Sequence, residues 1–277
     1  MAVGAARATG LRVDESAAAE QRKNVQMEWA SRDQPLLQRR DAPGGAEMLA
    51  YALFHMAAEG VAPDLTTDAL VHNIAAQQRT EGNWHFGALA RPPMQDHNFT
   101  RTAMSIRVLQ VYGFPARKPE FDKRVARASA WLAAAKPYTN EDGVMQLAGL
   151  KWAAADLGNL KSNLTSERRK NGGWAQRPEL DSDAYATGQA LYALHEIGVR
   201  ASDPAYLSFV SYLLRTRLDD GSWHVKRRAP KFQPYFQSGF PHDHDQWISS
   251  AATAWASIGL AGSRGTHECP HHNEFSR

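Results

Sequence analysis

Acidic residues and histidines are concentrated at a few places in the chain, and each place lies at the start of a stretch with helical periodicity. Asp96 and His97 form one such set, and the segment 181–183 carries two further aspartates. The run from His242 to Asp245 alternates imidazoles with carboxylates. A carboxylic acid can donate a proton, and imidazoles with carboxylates can bind a divalent metal. These sets are therefore the candidates for chemistry.

If these sets form one site, its residues fall into three groups by their expected role. The predicted catalytic acids are Asp96, Asp181 and Asp183, the predicted substrate-binding residues are Glu47, His97, Tyr185, Phe240 and Trp247, and the predicted metal ligands are His242, His244 and Asp245. Four neighbours on an extended segment cannot all reach one ion, so a metal would need donors from elsewhere, and Asp96 with His97 is the natural source. A structural role is the alternative for Asp183 and Asp245, because aspartate is a preferred N-cap.

A repeated turn marks the elements that must position these residues. Three segments share one spacing, with a glycine two residues before a tryptophan: 78–84, 168–174 and 217–223. Helical periodicity precedes the turns at 67–78, 158–169 and 204–217, and an alanine-rich helix follows at 100–112, 184–197 and 246–260. Glycine ends a helix without steric cost because it adopts the left-handed conformation. We therefore expect each first helix to stop at its glycine.

Amphipathic and alanine-rich helices alternate along the whole chain. Further helices are expected at 15–32 and 121–135 in the first class, and at 45–59 and 141–156 in the second. Small-residue helices can line an inner ring and amphipathic ones an outer ring. Counting the stretch up to Gly10, which reads like the last turns of a helix, the pattern predicts an all-α fold, an (α/α)6 toroid of about six inner and five outer helices. A closed toroid would need one more outer helix, so we expect the chain to be truncated at the N-terminus.

In such a toroid the starts of the inner helices share one rim, where the candidate residues would converge on a cavity mouth. The rim set also includes Arg101, Glu141 and Asp142. One domain over residues 1–262 is expected, followed by a polar, histidine-rich tail at 263–277.

Composition excludes several classes of protein. The 277 residues are 43% hydrophobic, which is enough for one large domain with a real core. A net charge of +3 does not call for a nucleic-acid partner. The single cysteine, Cys269, cannot form a disulfide within the chain or a cysteine-based zinc site. No apolar run is long enough to span a membrane, and the sequence indicates no compartment.

The turn spacing Gln78-x3-Gly82-x-Trp84 resembles the QW repeat of squalene-hopene and oxidosqualene cyclases. The wider pattern is similar to the prenyltransferase and squalene oxidase repeat family, and the segments 181–194 and 238–247 look like bacterial members of it. The similarity covers roughly residues 10–262. It implies an (α/α)6 barrel with a central apolar cavity and a terpenoid cyclase-like protein that binds or transforms an isoprenoid.

The chain departs from that family at three points. Only the first turn keeps the glutamine, because Arg168 and Arg217 replace it, which weakens the amide's hydrogen bond to a neighbouring helix. Terpene cyclases of this type protonate an alkene with the middle acid of Asp-x-Asp-Asp, and the nearest match, at 181–184, lacks the third aspartate. The Asp, Cys and His zinc site of protein prenyltransferases is missing, since Cys269 lies in the tail.

Three functions remain open from the sequence. An enzyme acting on an apolar small molecule would use Asp181 or Asp183 as its proton donor, with no cofactor expected apart from the divalent metal considered above. A non-catalytic binding or scaffold module would keep the toroid and lose the chemistry. A carbohydrate-active enzyme is the third, because α/α toroids also host glycan hydrolases and lyases with acidic and aromatic clefts.

Overall fold

A computed structural model describes residues 2–40, 44–85, 91–94, 97–230 and 234–263. The described part is built from helices, with one short hairpin of two-residue strands, β1 (Trp174–Ala175) and β2 (Ser182–Asp183). The helices are α1 (Ala2–Ala8), α2 (Glu15–Ala30), α3 (Asp33–Leu37), α4 (Gly45–Ala58), α5 (Leu65–Ala76), α6 (Asn98–Tyr112), α7 (Lys118–Ala134), α8 (Asn140–Trp152), α9 (Leu160–Ser166), α10 (Ala184–Glu196), α11 (Pro204–Thr216) and α12 (Gln246–Gly262).

Six of these helices form an inner ring. Each of α4, α6, α8, α10 and α12 packs on the next, and α1 packs on α12. Arg7 of α1 pairs with Glu59 at the end of α4, with 3.0 Å between Nη1 and Oε1, which closes the ring. The outer layer consists of α2, α5, α7, α9 and α11, each packed against an inner neighbour, and α3 extends it. The prediction of an all-α fold is confirmed, and the described residues contain the expected six inner and five outer helices.

The inner helices run in the same direction, so their N-terminal ends share one rim. Gly188 of α10 lies against Ala256 of α12. Nearly two turns further along both helices, His195 of α10 lies against Gly262 of α12. At the other side of the ring, Glu47 at the start of α4 contacts Arg101 at the start of α6. Residues at the starts of the inner helices are therefore neighbours across the ring. None of the described helices is long and apolar enough to cross a membrane.

The helices before the Gly-x-Trp turns end earlier than the sequence predicted. The preceding helices end at Ala76, Ser166 and Thr216, five or six residues before the glycines. In the first turn, the N–H of Gly82 donates to Arg79 O, and the N–H of Arg79 donates to Asn83 O. The expectation that each helix stops at its glycine was wrong. Glycine is needed there for a different reason, because φ is +103° at Gly82.

The glutamine of the first turn connects the turn to a neighbouring outer helix. The Gln78 amide donates to Gly82 O and to Arg124 O in α7, both at 2.9 Å. Arg127 of α7 donates back to Gln78 Oε1 at 2.7 Å. The turn is therefore fixed both to its own chain segment and to the next outer helix.

The three turn tryptophans are all buried, but their indole N–H groups are not equally satisfied. Trp84 Nε1 donates to Ile74 O at 2.7 Å, and Trp223 Nε1 donates to Leu213 O at 3.0 Å. Trp174 Nε1 has no hydrogen-bond partner among the described residues. The second turn thus lacks a bond that the other two share.

This difference predicts unequal costs of replacing the indole by a phenyl ring. Trp84→Phe leaves the Ile74 carbonyl without its donor, whereas Trp174→Phe breaks no such bond. We expect Trp84→Phe to cost about 1 kcal/mol more in the free energy of unfolding, measured by urea denaturation. Equal costs, or a larger cost for Trp174→Phe, would contradict the assignment of these bonds.

Candidate functional site

Each inner helix presents one stripe of residues to the axis of the ring. In α4 the stripe is Glu47, Tyr51 and Phe54, spaced four and three residues apart, which places them on one face of a helix. The first residues of such stripes are polar and the later ones aromatic. The same order occurs in α10, with Tyr185, Gln189 and Tyr192, and in α8, where Glu141 lies in the first turn and Trp152 is the last residue.

Glu141, at the start of α8, is the centre of a buried hydrogen-bond network. The Tyr185 hydroxyl donates to Oε2 at 2.6 Å, and the Gln189 amide donates to the same oxygen at 3.2 Å. The Thr100 hydroxyl donates to Oε1 at 2.5 Å. Burial raises the pKa of Glu141, and these three hydrogen bonds only partly oppose the rise. Three helices are thereby joined through one carboxyl group.

Glu47 is a second buried carboxyl group at the same level. Its Oε2 lies 3.0 Å from Arg101 Nε, and its side chain is 0% exposed. Oε1 accepts no hydrogen bond from the described residues. Burial raises the pKa of Glu47 to about 7, with Arg101 lowering it and Glu141 raising it further. A large part of the Glu47 population is therefore protonated at neutral pH.

Tyr51 lies one turn below Glu47 and is only partly buried. Its pKa is held well above its usual range, first by burial and then by the neighbouring charges of Glu47 and Glu141. The hydroxyl therefore stays neutral at any ordinary pH. With Arg101 and the Glu141 network it completes a polar layer, which we define as Glu47, Tyr51, Thr100, Arg101, Glu141, Tyr185 and Gln189.

The raised pKa of Glu47 has a consequence for stability. A carboxyl group whose pKa is higher in the folded than in the unfolded state stabilises the fold below its ordinary pKa, 4.5, and that contribution is lost as the pH rises through about 7. We expect wild type to lose stability between pH 5 and pH 8 relative to Glu47→Gln, by on the order of 3 kcal/mol. Urea unfolding of both proteins at the two pH values measures it. Parallel pH profiles would contradict the raised pKa.

Below the polar layer, aromatic side chains of the inner helices form a second layer. The Phe54 and Trp152 rings lie 5.8 Å apart, and the Tyr192 and Trp255 rings 5.4 Å apart. Trp255 packs against both hydrophobic clusters of the protein, so it lies between the two halves of the ring. Several of these rings are only partly buried, although they belong to inner helices. We define Phe54, Trp152, Tyr192 and Trp255 as the aromatic layer.

His97 lies at the rim above the polar layer. Its Nδ1 is 2.8 Å from Asp142 Oδ2, and its backbone carbonyl accepts a hydrogen bond from Arg101 at 2.8 Å. Asp142 also caps α8, since its Oδ2 accepts from Thr139 N at 2.9 Å. His97 therefore connects the rim to the buried arginine, and its role in binding a substrate stays a prediction.

Two of the three predicted catalytic aspartates, Asp181 and Asp183, lie outside the polar layer. Asp181 is exposed, and Asp183 is the N-cap of α10, where its Oδ1 accepts from Ala186 N at 2.9 Å. Burial raises the pKa of Asp183 to about 6, against the lowering effect of that hydrogen bond. Asp96 lies outside the described residues. The assignment of a proton donor to this set stays a prediction, and the capping geometry of Asp183 favours its structural alternative.

Trp247 and Phe240, predicted to bind substrate, lie near the start of α12 and are both partly buried. Trp247 lines a cavity of about 320 Å³ together with Arg91, Arg227 and Phe236. The Phe240 ring instead lies 6.3 Å from the ring of His242. Of the two side chains, Trp247 is therefore the one that lines this cavity.

The structure does not bring the three predicted metal ligands together. His242 stacks on His224 at 4.9 Å, and it is His224 that contacts Asp245, with 2.8 Å between Nε2 and Oδ2. His244 packs on the Tyr235 ring at 4.5 Å. In the part of the chain that the structure describes, no three His, Cys, Asp or Glu residues form a group that could hold a metal ion.

Sequence reasoning selected Glu47 and Tyr185 for the site, but not Glu141, Thr100, Arg101 or Gln189. It placed Arg101 and Glu141 on the rim without assigning them a role. A signal for them existed, because a charged residue in the first turn of an otherwise small and apolar helix has to be paired or hydrogen-bonded when that helix is buried.

Comparisons with known proteins bear on the fold. No protein-family model matches the chain, and no curated protein matches it by sequence. Among solved structures, the apo type II terpene cyclase MstE from Scytonema is similar with a TM-score of 0.58 and 16% identity, covering 94% of this chain and 86% of that chain. A variant of MstE in complex with geranylgeranyl dihydroxybenzoate, its substrate, gives 0.57 and 17%, covering 95% and 86%. The chain therefore has a terpenoid cyclase-like fold.

Proposed function

We propose that this protein binds an isoprenoid chain along the axis of its helical ring and isomerises it by protonating a carbon–carbon double bond. The observation that carries the proposal is the buried Glu47 carboxyl group, with a pKa near 7 and an oxygen without a hydrogen-bond partner among the described residues. An acid must be protonated at neutral pH before it can transfer a proton to so weak a base as an alkene.

In the proposed reaction Glu47 gives its proton to one alkene carbon, so that its O–H bond breaks and a C–H bond forms. The cation left on the neighbouring carbon is attacked by the next double bond of the chain, which closes a ring. A proton is then lost from carbon to solvent, from which Glu47 regains its own, and the product is an isomer of the substrate. Arg101, 3.0 Å from Glu47, stabilises the carboxylate that remains after transfer.

The aromatic layer suits the second step of this reaction, in which a cation forms on carbon. The faces of Phe54, Trp152 and Trp255 carry negative electrostatic potential and stabilise a nearby cation without reacting with it. The apolar surroundings keep water from capturing the cation before the ring closes. The two layers thus place an acid at one end of the axis and cation-stabilising rings below it.

The similarity to MstE supports this proposal at the level of fold, since MstE is a terpene cyclase with structures that contain its substrate and its product, merosterolic acid A. The carbohydrate alternative is less well supported. It needs exposed tryptophans beside paired carboxylates, whereas every tryptophan of the described residues is buried or only partly exposed, with Trp84, Trp174 and Trp223 at most 4% exposed.

A non-catalytic binding protein is the second candidate, and one observation favours it. Both carboxyl groups of the polar layer are enclosed, with Glu47 0% and Glu141 7% exposed. A ligand would then occupy the axis without meeting the acid.

The test is to incubate the purified protein with geranylgeranyl dihydroxybenzoate and, separately, with squalene. Chromatography with mass spectrometry should show a new compound of unchanged mass with fewer double bonds. Saturable binding of either compound without a product would favour the non-catalytic candidate. Neither binding nor product would contradict the proposal that the axis holds an isoprenoid.

A further inference from the structure

A second cavity lies on the outside of the ring, away from the polar layer. Its volume is about 640 Å³, and its wall includes Tyr138 and residues of α8, α9 and the second Gly-x-Trp turn. Asn140 and Gln146 of α8 contribute to this wall, whereas Glu141 of the same helix joins the network at the axis. The two sites are therefore on different faces of α8. A volume of this size is typical of small-molecule sites.

The cavity exists because the outer layer is thin at this point. α9 has 7 residues, whereas the outer helices α2, α5, α7 and α11 have 16, 12, 17 and 13. The predicted helix over 158–169 is thus much shorter than expected. The space that a full outer helix would fill is left between α8 and the turn that carries Trp174.

The wall of this cavity contains polar groups that the protein leaves unsatisfied. In the other two turns the indole N–H donates to a carbonyl ten residues earlier, at Ile74 or Leu213. The matching residue here is Leu164, and Trp174 Nε1 has no partner among the described residues. Gln146 Oε1 and Asn140 Oδ1, also in the wall, accept no hydrogen bond either. These three side chains are 1%, 3% and 5% exposed, so leaving them unpaired is costly.

The lining of the cavity carries more positive than negative charge. It includes Arg168, Arg169 and Arg177, against one acid, Glu167. The Arg177 guanidinium lies over the Tyr138 ring at 5.3 Å, so a flat cationic surface is held in place in the lining.

We propose that this cavity is a binding site for a small organic carboxylate that also carries an amide group. The carboxylate lies against the arginines of the lining. The amide N–H is positioned to donate to Gln146 or Asn140, and the amide oxygen to accept from Trp174. Arginine and a few convergent amide groups are the combination that small-molecule sites use to fix a carboxylate in one orientation. The site is independent of the proposed function, because no residue of the polar or aromatic layer lines it.

The experiment uses 4-acetamidobenzoate as the probe and nuclear magnetic resonance of the full chain as the readout. The indole N–H signal of Trp174 is assigned by its loss in Trp174→Phe. We expect it to shift saturably with the probe, while the indole signal of Trp84 does not move. The neutral 4-acetamidobenzamide should bind at least about tenfold more weakly, because it lacks the charge that the arginines recognise.

A pair of matched variants shows whether the probe binds in the cavity or is only attracted to the positive charge of the protein. Arg168 and Arg217 are the same position of two repeats and both exposed, but only Arg168 lines the cavity. Arg168→Glu should weaken binding at least about fivefold, and Arg217→Glu should leave it unchanged. Gly143→Leu, which adds a side chain from an open position in the wall, should block binding. Failure of the probe to saturate at millimolar concentration, or equal binding by both arginine variants, would overturn the proposal whatever the outcome of the isoprenoid assay.

Discussion

Replacing Glu47 with glutamine should lower the rate of isoprenoid isomerisation by about 100-fold to 10,000-fold. The amide has nearly the shape of the carboxyl group, so the packing around it is kept. It has no acidic proton to give to an alkene, and its oxygen can still face Arg101 Nε, which lies 3.0 Å away in wild type. The loss should appear in kcat, since binding of the chain depends on the aromatic layer.

The measurement is single-turnover conversion by wild type, Glu47→Gln and Asp183→Asn, with binding followed separately. Asp183→Asn tests the donor that the sequence favoured. Its Oδ1 accepts from Ala186 N at 2.9 Å, and asparagine is also a good N-cap, so we expect this variant to keep most of the activity. If Glu47→Gln were active and Asp183→Asn inactive, the proton donor would be Asp183 at the rim and not Glu47.

Replacing Gly188 with valine should strongly destabilise the fold. Gly188 lies where α10 packs directly on α12, and a Cβ added there would be 2.5 Å from Ala256 N and 2.6 Å from the carbonyl carbon of Trp255. Both are backbone atoms, so no side chain can turn aside and the helices have to separate. We expect a loss of about 3 kcal/mol or more in the free energy of unfolding.

Gly143→Ala is the matched control, because it also places a Cβ in an inner helix. That Cβ would meet nothing within 4 Å, and the backbone is helical, so alanine should be neutral or stabilising by up to about 1 kcal/mol. Urea unfolding of both variants gives the comparison. A Gly188→Val protein as stable as wild type would show that α10 and α12 do not pack as described.

The fold was predictable from the sequence because its signals are local and repeated. The Gly-x-Trp spacing occurs three times, and the inner helices it predicted at 184–197 and 246–260 are observed at Ala184–Glu196 and Gln246–Gly262. The helix ends before the turns were not predictable in the same way. Glycine adopts a positive φ both at helix ends and in turns, so its position alone does not locate the end of a helix. Here the positive φ occurs in a turn after the helix has already ended.

The site was only partly predictable, since it depends on which residues meet across the ring. Glu47 and Tyr185 were selected because they stand at the starts of inner helices, and both lie in the polar layer. The same argument applied equally to Asp183, because a cap and a buried acid occupy nearly the same position along a helix. Each residue of a helix is rotated by about 100° from the one before it, and this rotation decides whether a side chain faces the rim or the axis of the ring. The orientation of the helix as a whole is set by its packing against neighbouring helices.

The most direct measurement for the central claim is the isomerisation carried out in D2O. Glu47 exchanges its carboxyl hydrogen with solvent between turnovers, so wild type should place one deuterium on the carbon that is protonated first. Final loss of hydrogen from carbon then leaves a product one mass unit heavier than the substrate. A product without deuterium would contradict protonation by an exchangeable acid, and the absence of any product would contradict the proposal that the buried carboxyl group is catalytic.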